Sequence, residues 1–98
     1  MILIVVGCQP SKSPVMKVSV DAGKIVEYES GPTLSDGSAG GVEIGSMTFD
    51  ICRVGIDQWV TVDEDEIRNA IRVAYKYQKQ KVIEGAAGVA IAAYIKMV

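Results

Sequence analysis

Residues 57–85, DQWVTVDEDEIRNAIRVAYKYQKQKVIEG, contain a strand, a helix start, an amphipathic helix and an acid that opens a second helix. The run from Trp59 to Val62 consists of β-forming residues and ends at an acidic cluster, which predicts a short strand. Asp63 and Glu66 have the spacing of a capping box, in which each side chain bonds an amide that the first helical turn leaves unpaired. This stretch therefore predicts a strand that leads directly into a capped helix.

The helix that starts there has one apolar face. Charged and amide side chains occupy its other positions, so the helix is expected to pack on a sheet. The sequence thus predicts an α/β fold with a small, mostly parallel sheet and packed helices. The apolar face has the i, i+3, i+4, i+7 and i+8 spacing and consists of Ile67, Ala70, Ile71, Ala74 and Tyr75.

The first residues of the chain predict a βα unit. Ile2–Val6 is an unbroken aliphatic run ended by Gly7, which is typical of a strand covered on both faces in a parallel sheet. Pro14 suits the first turn of a short helix that stops near Gly23. The inner side of that helix is expected to carry Val15, Val18 and Ser19.

The middle of the chain predicts a link, a loop and another helix. Residues 24–29 alternate charged and apolar side chains, which indicates a short strand or an extended link. Residues 31–45 form a long Gly/Ser loop, and we expect ligand contacts there because long loops in compact domains are usually functional or disordered. Ser46 can cap a helix that runs to about Val54 and ends at Gly55. The inward residues of that helix are expected to be Met47, Ile51 and either Val54 or Cys52.

The last helix is predicted to begin at Glu84. Glycine and alanine are concentrated from Gly85 to Ala93, and such small side chains allow close packing against a sheet or another helix. Unpaired strand edges together with this small-residue face predict a homo-oligomer, either a dimer or a higher assembly.

Length and charge limit the classes of function. The 98 residues suffice for a single α/β domain, 1–98, with a modest core. The net charge is −2, and the basic residues are scattered among acids, so no nucleic-acid surface is expected. The longest apolar runs are far below the roughly 20 residues that span a bilayer, and no signal-peptide pattern follows Met1. We expect neither nucleic acid nor membrane as a partner.

Cysteine and histidine usage narrows the chemistry. Cys8 and Cys52 lie in apolar segments without CxxC spacing, which favours reduced, buried thiols over a disulfide or metal site and indicates a cytoplasmic protein. The chain has no histidine, which removes Ser/His/Asp triads and histidine-bound metals. Neither a GxxxxGK loop nor a GxGxxG turn is present. The residues alone therefore predict no catalytic group and no metal site.

Four segments, VVGCQP, PTLSDG, FDICRVGIDQWVTVDEDEI and KVIEGAAGVAIAA, occur in the same order in the pyridoxal-phosphate-dependent threonine/serine dehydratases. The chain resembles that family end to end, and it is most similar to the threonine ammonia-lyase branch. The resemblance implies the later part of the large domain of a fold-type II enzyme, with a tryptophan-synthase-β-like sheet. Such enzymes are lyases of amino-acid metabolism that eliminate the hydroxyl group of threonine or serine.

The resemblance covers only part of the cofactor machinery. The family's cofactor-binding lysine and glycine-rich phosphate loop would precede Met1, and the serine that bonds the pyridine nitrogen would follow Val98. Asp36, Gly37 and Glu84 match positions that face pyridoxal phosphate in the complete enzyme, which makes them candidate cofactor-binding residues. From the residues alone, Asp36–Gly37 can equally be a turn and Glu84 a first-turn acid. The chain by itself is expected to bind no cofactor and to be inactive.

Two departures from the racemase-like relatives concern regulation. Gln9 and Val15 occupy the positions where those relatives hold a divalent cation with Glu and Asp, and neither side chain offers a charged oxygen. Gln80 occupies the place of their nucleotide-binding lysine. The resemblance therefore implies neither a metal nor nucleotide control here.

Three interpretations of the chain remain open. It can be a fragment of a pyridoxal-phosphate-dependent lyase that is inactive alone. It can be a free-standing α/β module that oligomerises or binds a small molecule. It can also be a C-terminal half that complements a separate N-terminal chain.

Overall fold

The computed structural model describes residues 2–98. Two strands pair in parallel, with Val6 opposite Gln58 and Pro10 opposite Val62. The predicted α/β class, with a parallel sheet and packed helices, is confirmed. The elements are β1 (Val6–Pro10), α1 (Val15–Ala22), a 3-10 turn (Asp36–Ser38), α2 (Met47–Gly55), β2 (Gln58–Val62), α3 (Glu64–Tyr77) and α4 (Gly85–Met97).

The first strand begins at Val6, so the predicted strand Ile2–Val6 is wrong in its position. The cause is its partner: β2 begins at Gln58, and residues 2–5 extend past that end. The pairing stops at Val5, whose carbonyl accepts a hydrogen bond from the Asp57 N–H (2.9 Å). The side chains of residues 2–5 are exposed, by 91% at Ile2 and 47% at Val5, so the predicted burial on both faces is also wrong for this segment.

One face of the sheet carries the core. Side chains alternate along a strand, so Cys8, Val60 and Val62 share the face on which α3 and α4 pack. The small side chains of α4 allow this approach, since a Cβ on Gly88 would lie 3.3 Å from the Ile67 side chain. The predicted packing role of the last helix is confirmed. The buried core consists of Val62, Ile67, Ala70, Val89, Ala92 and Ala93.

The opposite face is covered by Trp59 and α1. A Cβ on Gly7 would lie only 2.7 Å from the Trp59 ring, so glycine at this position lets the indole lie across β1. Gln9, the next residue on that face, accepts a hydrogen bond from the Lys17 N–H of α1 through its amide oxygen (2.9 Å). The helix α1 therefore adjoins this second face at Gln9.

The predicted capping box at the start of α3 is confirmed. An oxygen of the Asp63 carboxylate accepts from the Glu66 N–H at 2.8 Å, and the Glu66 carboxylate accepts from the Asp63 N–H at 3.0 Å. Along the predicted apolar face, Ile67, Ala70 and Ala74 are buried. Tyr75 is exposed, so its assignment to the inner face is wrong.

The shorter helices form where predicted, but one of them turns a different face inward. Gly23 ends α1 with a left-handed φ of 76°. Ser46 caps α2, its hydroxyl accepting from the Thr48 N–H at 3.2 Å. The predicted inner face of α2 is wrong at Met47, Ile51 and Val54, whose side chains are exposed by 75%, 62% and 79%. The buried residue of α2 is Phe49, and Cys52, the predicted alternative to Val54, is half-buried.

Residues 24–29 form an extended link without strand pairing, which decides between the two predicted alternatives. Residues 31–45 form the predicted loop, which contains the 3-10 turn and, just before Ser46, a turn at residues 44–45. Within residues 2–98, every helix is too short or too polar to cross a membrane.

Candidate functional site

The two candidate cofactor-binding segments, far apart in sequence, lie side by side. A Cβ on Gly37 would lie 3.8 Å from the Cβ of Ala86, in ordinary contact. The two segments approach each other more closely at Gly85, where an added Cβ would lie 1.7 Å from the Leu34 carbonyl oxygen. Only glycine at position 85 permits this contact, which the sequence analysis did not identify. We call Leu34–Ser38 together with Glu84–Ala86 the loop–helix junction.

The junction carries two exposed carboxylates. Asp36 opens the 3-10 turn, and Glu84 is the residue that precedes the first turn of α4. The Glu84 side chain makes no capping hydrogen bond, so it interacts with the helix mainly through the helix dipole. Both carboxylates are open to solvent and free to meet a ligand or another chain.

Glu64 holds the loop against the end of β2. Its carboxylate accepts from the Thr33 hydroxyl and from the Leu34 N–H, each at 2.6 Å. Such short, charge-assisted hydrogen bonds are stronger than neutral ones. The loop is further closed by Ser35, which is fully buried, and whose hydroxyl is hydrogen-bonded to that of Ser38.

The role of Glu64 was missed because it belongs to an acidic cluster that already had an interpretation as a helix start. As the first residue of α3, it has no partner inside the capping box, and its carboxylate is directed to the loop instead. The signal available in the sequence was that the cluster has two acids, Glu64 and Asp65, beyond the two that the capping box needs, and Asp65 pairs with Arg68 within the helix. Glu64 therefore positions the loop–helix junction at the carboxyl end of the strands.

Pyridoxal phosphate needs groups that this junction does not contain. The cofactor is held through a lysine and through donors that surround its phosphate. The junction consists of small residues, one leucine and two acids, with no basic side chain. Two of the chain's lysines pair elsewhere, Lys17 with Asp21 at 2.7 Å and Lys96 with Glu66 at 3.3 Å. The residues of the junction therefore supply neither the lysine nor the phosphate donors that hold this group.

The cysteines are free and take no part in the junction. Burial raises the pKa of the Cys8 thiol above its usual value, which keeps the thiol protonated and weakly reactive. Among residues 2–98, no three cysteine, aspartate or glutamate side chains are grouped to hold a metal ion. The amide of Gln9 is engaged with the start of α1.

This chain belongs to the family of pyridoxal-phosphate dependent enzymes, whose family model matches residues 3–98. The complete enzymes of this family use pyridoxal phosphate as their cofactor. The resemblance to threonine/serine dehydratases is thereby confirmed at the level of the family, and the comparisons with individual proteins support it further.

Named relatives are threonine dehydratases. The chain is 36% identical over 92 residues to a putative threonine dehydratase from Sinorhizobium fredii, covering 93% of this chain and 27% of the relative. It is 36% identical over 91 residues to the L-threonine ammonia-lyase of Thermotoga maritima, covering 93% of this chain and 22% of the relative. The chain thus spans about a quarter of the length of these relatives.

The fold agrees with a solved structure of the same class. The processed form of threonine deaminase isoform 2 from Solanum lycopersicum superposes with a TM-score of 0.84 and 31% sequence identity. The superposition covers 96% of this chain and 28% of the tomato chain. The predicted fold-type II architecture is confirmed.

Proposed function

We propose that the chain is a segment of a pyridoxal-phosphate-dependent threonine/serine dehydratase, which deaminates its substrate through elimination of the β-hydroxyl group. The observation that carries this proposal is the loop–helix junction. The segments that carry Asp36 and Glu84, identified separately as candidates, lie side by side there, since a Cβ on Gly37 would lie 3.8 Å from the Ala86 Cβ. The identity to threonine dehydratases over nearly the whole chain supports the same substrate class.

In this proposal the junction forms one wall of the cofactor pocket. Bound pyridoxal phosphate supplies the electron-withdrawing ring that makes the elimination possible. Gly37 keeps that wall flat because it has no side chain. Glu64 fixes the position of the loop through its hydrogen bonds to Thr33 and Leu34. The carboxylates of Asp36 and Glu84 offer hydrogen-bond acceptors at the edge of the pocket wall. No catalytic residue is assigned, since a lysine and a phosphate cradle must come from outside these residues.

The decisive experiment is a hybrid enzyme in which this chain replaces the homologous segment of the Thermotoga maritima L-threonine ammonia-lyase. We expect the hybrid to deaminate threonine in the presence of pyridoxal phosphate, measured by 2-oxobutyrate formation. Glu84→Gln in the hybrid should lower that rate, whereas Glu43→Gln, which alters another exposed acid of the long loop, should leave it unchanged. A soluble but inactive hybrid would refute the proposed function.

The chain alone should neither form a covalent complex with pyridoxal phosphate nor deaminate threonine, because the junction contains no lysine. Visible absorbance after mixing, followed by borohydride trapping and mass spectrometry, measures this directly. A single stoichiometric adduct on one lysine would contradict the expectation.

Both cysteines are free, which supports our proposal of a reducing, cytoplasmic setting for this protein. Exposed apolar side chains in residues 2–5 favour a second candidate, an oligomer that works as an independent module. Light scattering at micromolar concentration tests that candidate: it requires more than one chain mass, and a monomer over the whole range would exclude it.

A further inference from the structure

A fully buried serine lies just beyond the carboxyl end of β1. Ser13 has no exposed surface. Its N–H donates to the Pro10 carbonyl at 3.0 Å, which places the residue in the turn between β1 and α1. Buried hydroxyl groups are hydrogen-bonded in most folded proteins, so the partners of Ser13 show which segment packs on this turn.

Both partners of the Ser13 side chain flank segment 31–39 of the long loop. The hydroxyl is hydrogen-bonded to the Ser30 hydroxyl at 2.6 Å and accepts from the Gly40 N–H at 3.1 Å. A hydroxyl group has one hydrogen to donate and two lone pairs, so it can form both bonds at once. Segment 31–39 therefore begins and ends at the same buried oxygen, as in an Ω-loop, a type of compact loop that is frequently functional.

Asp36 and Gly37 lie inside this segment, and the loop is bound on both sides of them. Before them in the chain, Glu64 forms its two hydrogen bonds to the loop. After them, the Ser13 hydroxyl binds the chain at Gly40. Removing that hydroxyl would release the second side and leave the first side bound.

We infer that Ser13 is a positioning residue for the proposed deamination, because it keeps Asp36 and Gly37 in place at the pocket wall. The inference rests on the proposed function. In open α/β sheets, ligands bind beyond the carboxyl ends of the strands, which is where Ser13 lies. Ser13 acts through the loop and not by contact with a ligand. A displaced wall lowers the rate because the reacting groups must be held in a precise arrangement.

Ser19 provides a matched control on α1. It is also fully buried, and its hydroxyl accepts from the Val26 N–H at 3.1 Å. Val26 belongs to the extended link 24–29, which contains no candidate cofactor-binding residue. Ser13→Ala and Ser19→Ala therefore each remove a buried hydroxyl bonded to a backbone N–H, and only Ser13→Ala releases the loop.

Both variants are made in the hybrid enzyme, and threonine deamination is measured over a range of pyridoxal phosphate concentrations. We expect Ser13→Ala to lower kcat about tenfold. It should also raise the pyridoxal phosphate concentration that gives half the maximal rate, by about fivefold. Ser19→Ala should leave both values unchanged, since a role in stability alone lowers the amount of folded enzyme and neither value per folded molecule.

Hydrogen exchange of the hybrid without cofactor measures the loop independently of activity. Followed by peptide mass spectrometry, exchange in the peptide that covers residues 31–40 should become at least about tenfold faster in Ser13→Ala. Ser19→Ala should leave the exchange of that peptide unchanged. Equal exchange in the parent hybrid and in Ser13→Ala would overturn the inference.

The outcomes separate the inference from the proposed function. If the parent hybrid is active and the two alanine variants have equal kcat and equal half-saturating concentrations, the inference is overturned and the function stands. If the parent hybrid is soluble but inactive, the function is overturned, and the role of Ser13 in deamination is overturned with it, whatever the exchange of the loop.

Ser13→Cys covers the case in which Ser13→Ala does not fold. A thiol fills the buried position but is only a weak donor and a weak acceptor, so both bonds to the loop are weakened. We then expect kcat to fall about threefold and the peptide of residues 31–40 to exchange faster. Values equal to those of the parent hybrid would overturn the inference.

Discussion

The α3 and α2 helices differ in what covers their apolar side chains. Both carry an apolar stripe, yet Ile67 of α3 is fully buried under α4 and β2, while Ile51 of α2 is mostly exposed. The stripe of α3 faces a strand and a helix of small residues. The stripe of α2 faces no other element among residues 2–98, and only Phe49 on its other side is buried. An apolar pattern thus determines which residues share a face, and the neighbouring elements determine whether that face is covered.

The largest expected effect compares the two isoleucines directly. Ile67→Ala should lower the free energy of unfolding by about 2–5 kcal/mol, because it leaves a cavity in the core. Ile51→Ala should change it by no more than about 0.5 kcal/mol, because the side chain is already hydrated. Urea unfolding followed by circular dichroism measures both values. Equal losses would show that α2 is covered in solution, for example by a second copy.

The next effect concerns the contact between the loop and α4. Gly85→Ala should lower the free energy of unfolding by about 1–3 kcal/mol, because the added carbon meets the Leu34 backbone rather than a side chain that can rotate away. Gly41→Ala is the matched control, since a Cβ there has no atom within 4 Å. In the hybrid enzyme, Gly85→Ala should also reduce threonine deamination. If both variants were equally stable, the close approach would not exist in solution.

A smaller difference is expected between the caps of the same two helices. Asp63→Ala should cost about 1 kcal/mol, because it removes one half of a reciprocal capping box. Ser46→Ala should cost less, about 0.5 kcal/mol, because its single bond is exposed and 3.2 Å long. Denaturant midpoints for the two variants rank the caps. A larger loss for Ser46→Ala would reverse the comparison between α3 and α2.

The smallest effect is expected at the junction itself. Glu84→Gln should lower the free energy of unfolding of the isolated chain by no more than about 1 kcal/mol, because the carboxylate is exposed and forms no capping bond. The variant removes only its interaction with the helix dipole. A much larger loss in a denaturant melt would mean that Glu84 is buried and paired in solution.

The fold was predictable wherever a local signal and a tertiary contact agreed. The Asp63–Glu66 box and the glycine at position 23 set their helix ends through bonds within a few residues, and both predictions hold. The start of β1 depends instead on where β2 begins, which is a distant property that an aliphatic run cannot encode. The prediction of the buried face of α2 was wrong for the same reason. Each of its two apolar stripes fits a helical pattern, and only the packing of distant elements decides which stripe is buried.

The candidate site was predictable only through the resemblance. Asp36, Gly37 and Glu84 carry no pattern that separates a pocket residue from a turn or a helix start, and their role in cofactor binding stays a prediction. The structure adds that their two segments are neighbours. Gly85 and Glu64 each contact the loop across a long stretch of sequence. Such contacts depend on the fold as a whole, and no local spacing of residues predicts them.

Trp59 gives the molecule a built-in optical reporter. It is the single tryptophan of the chain, and its ring lies across Gly7 on the sheet face opposite the core. Indole emission shifts to longer wavelength when water reaches the ring, so the fluorescence of this protein follows the pairing of β1 with β2. The far-ultraviolet circular dichroism signal comes mainly from the four helices. Recording both during one titration therefore distinguishes a chain whose sheet opens first from one that unfolds in a single step.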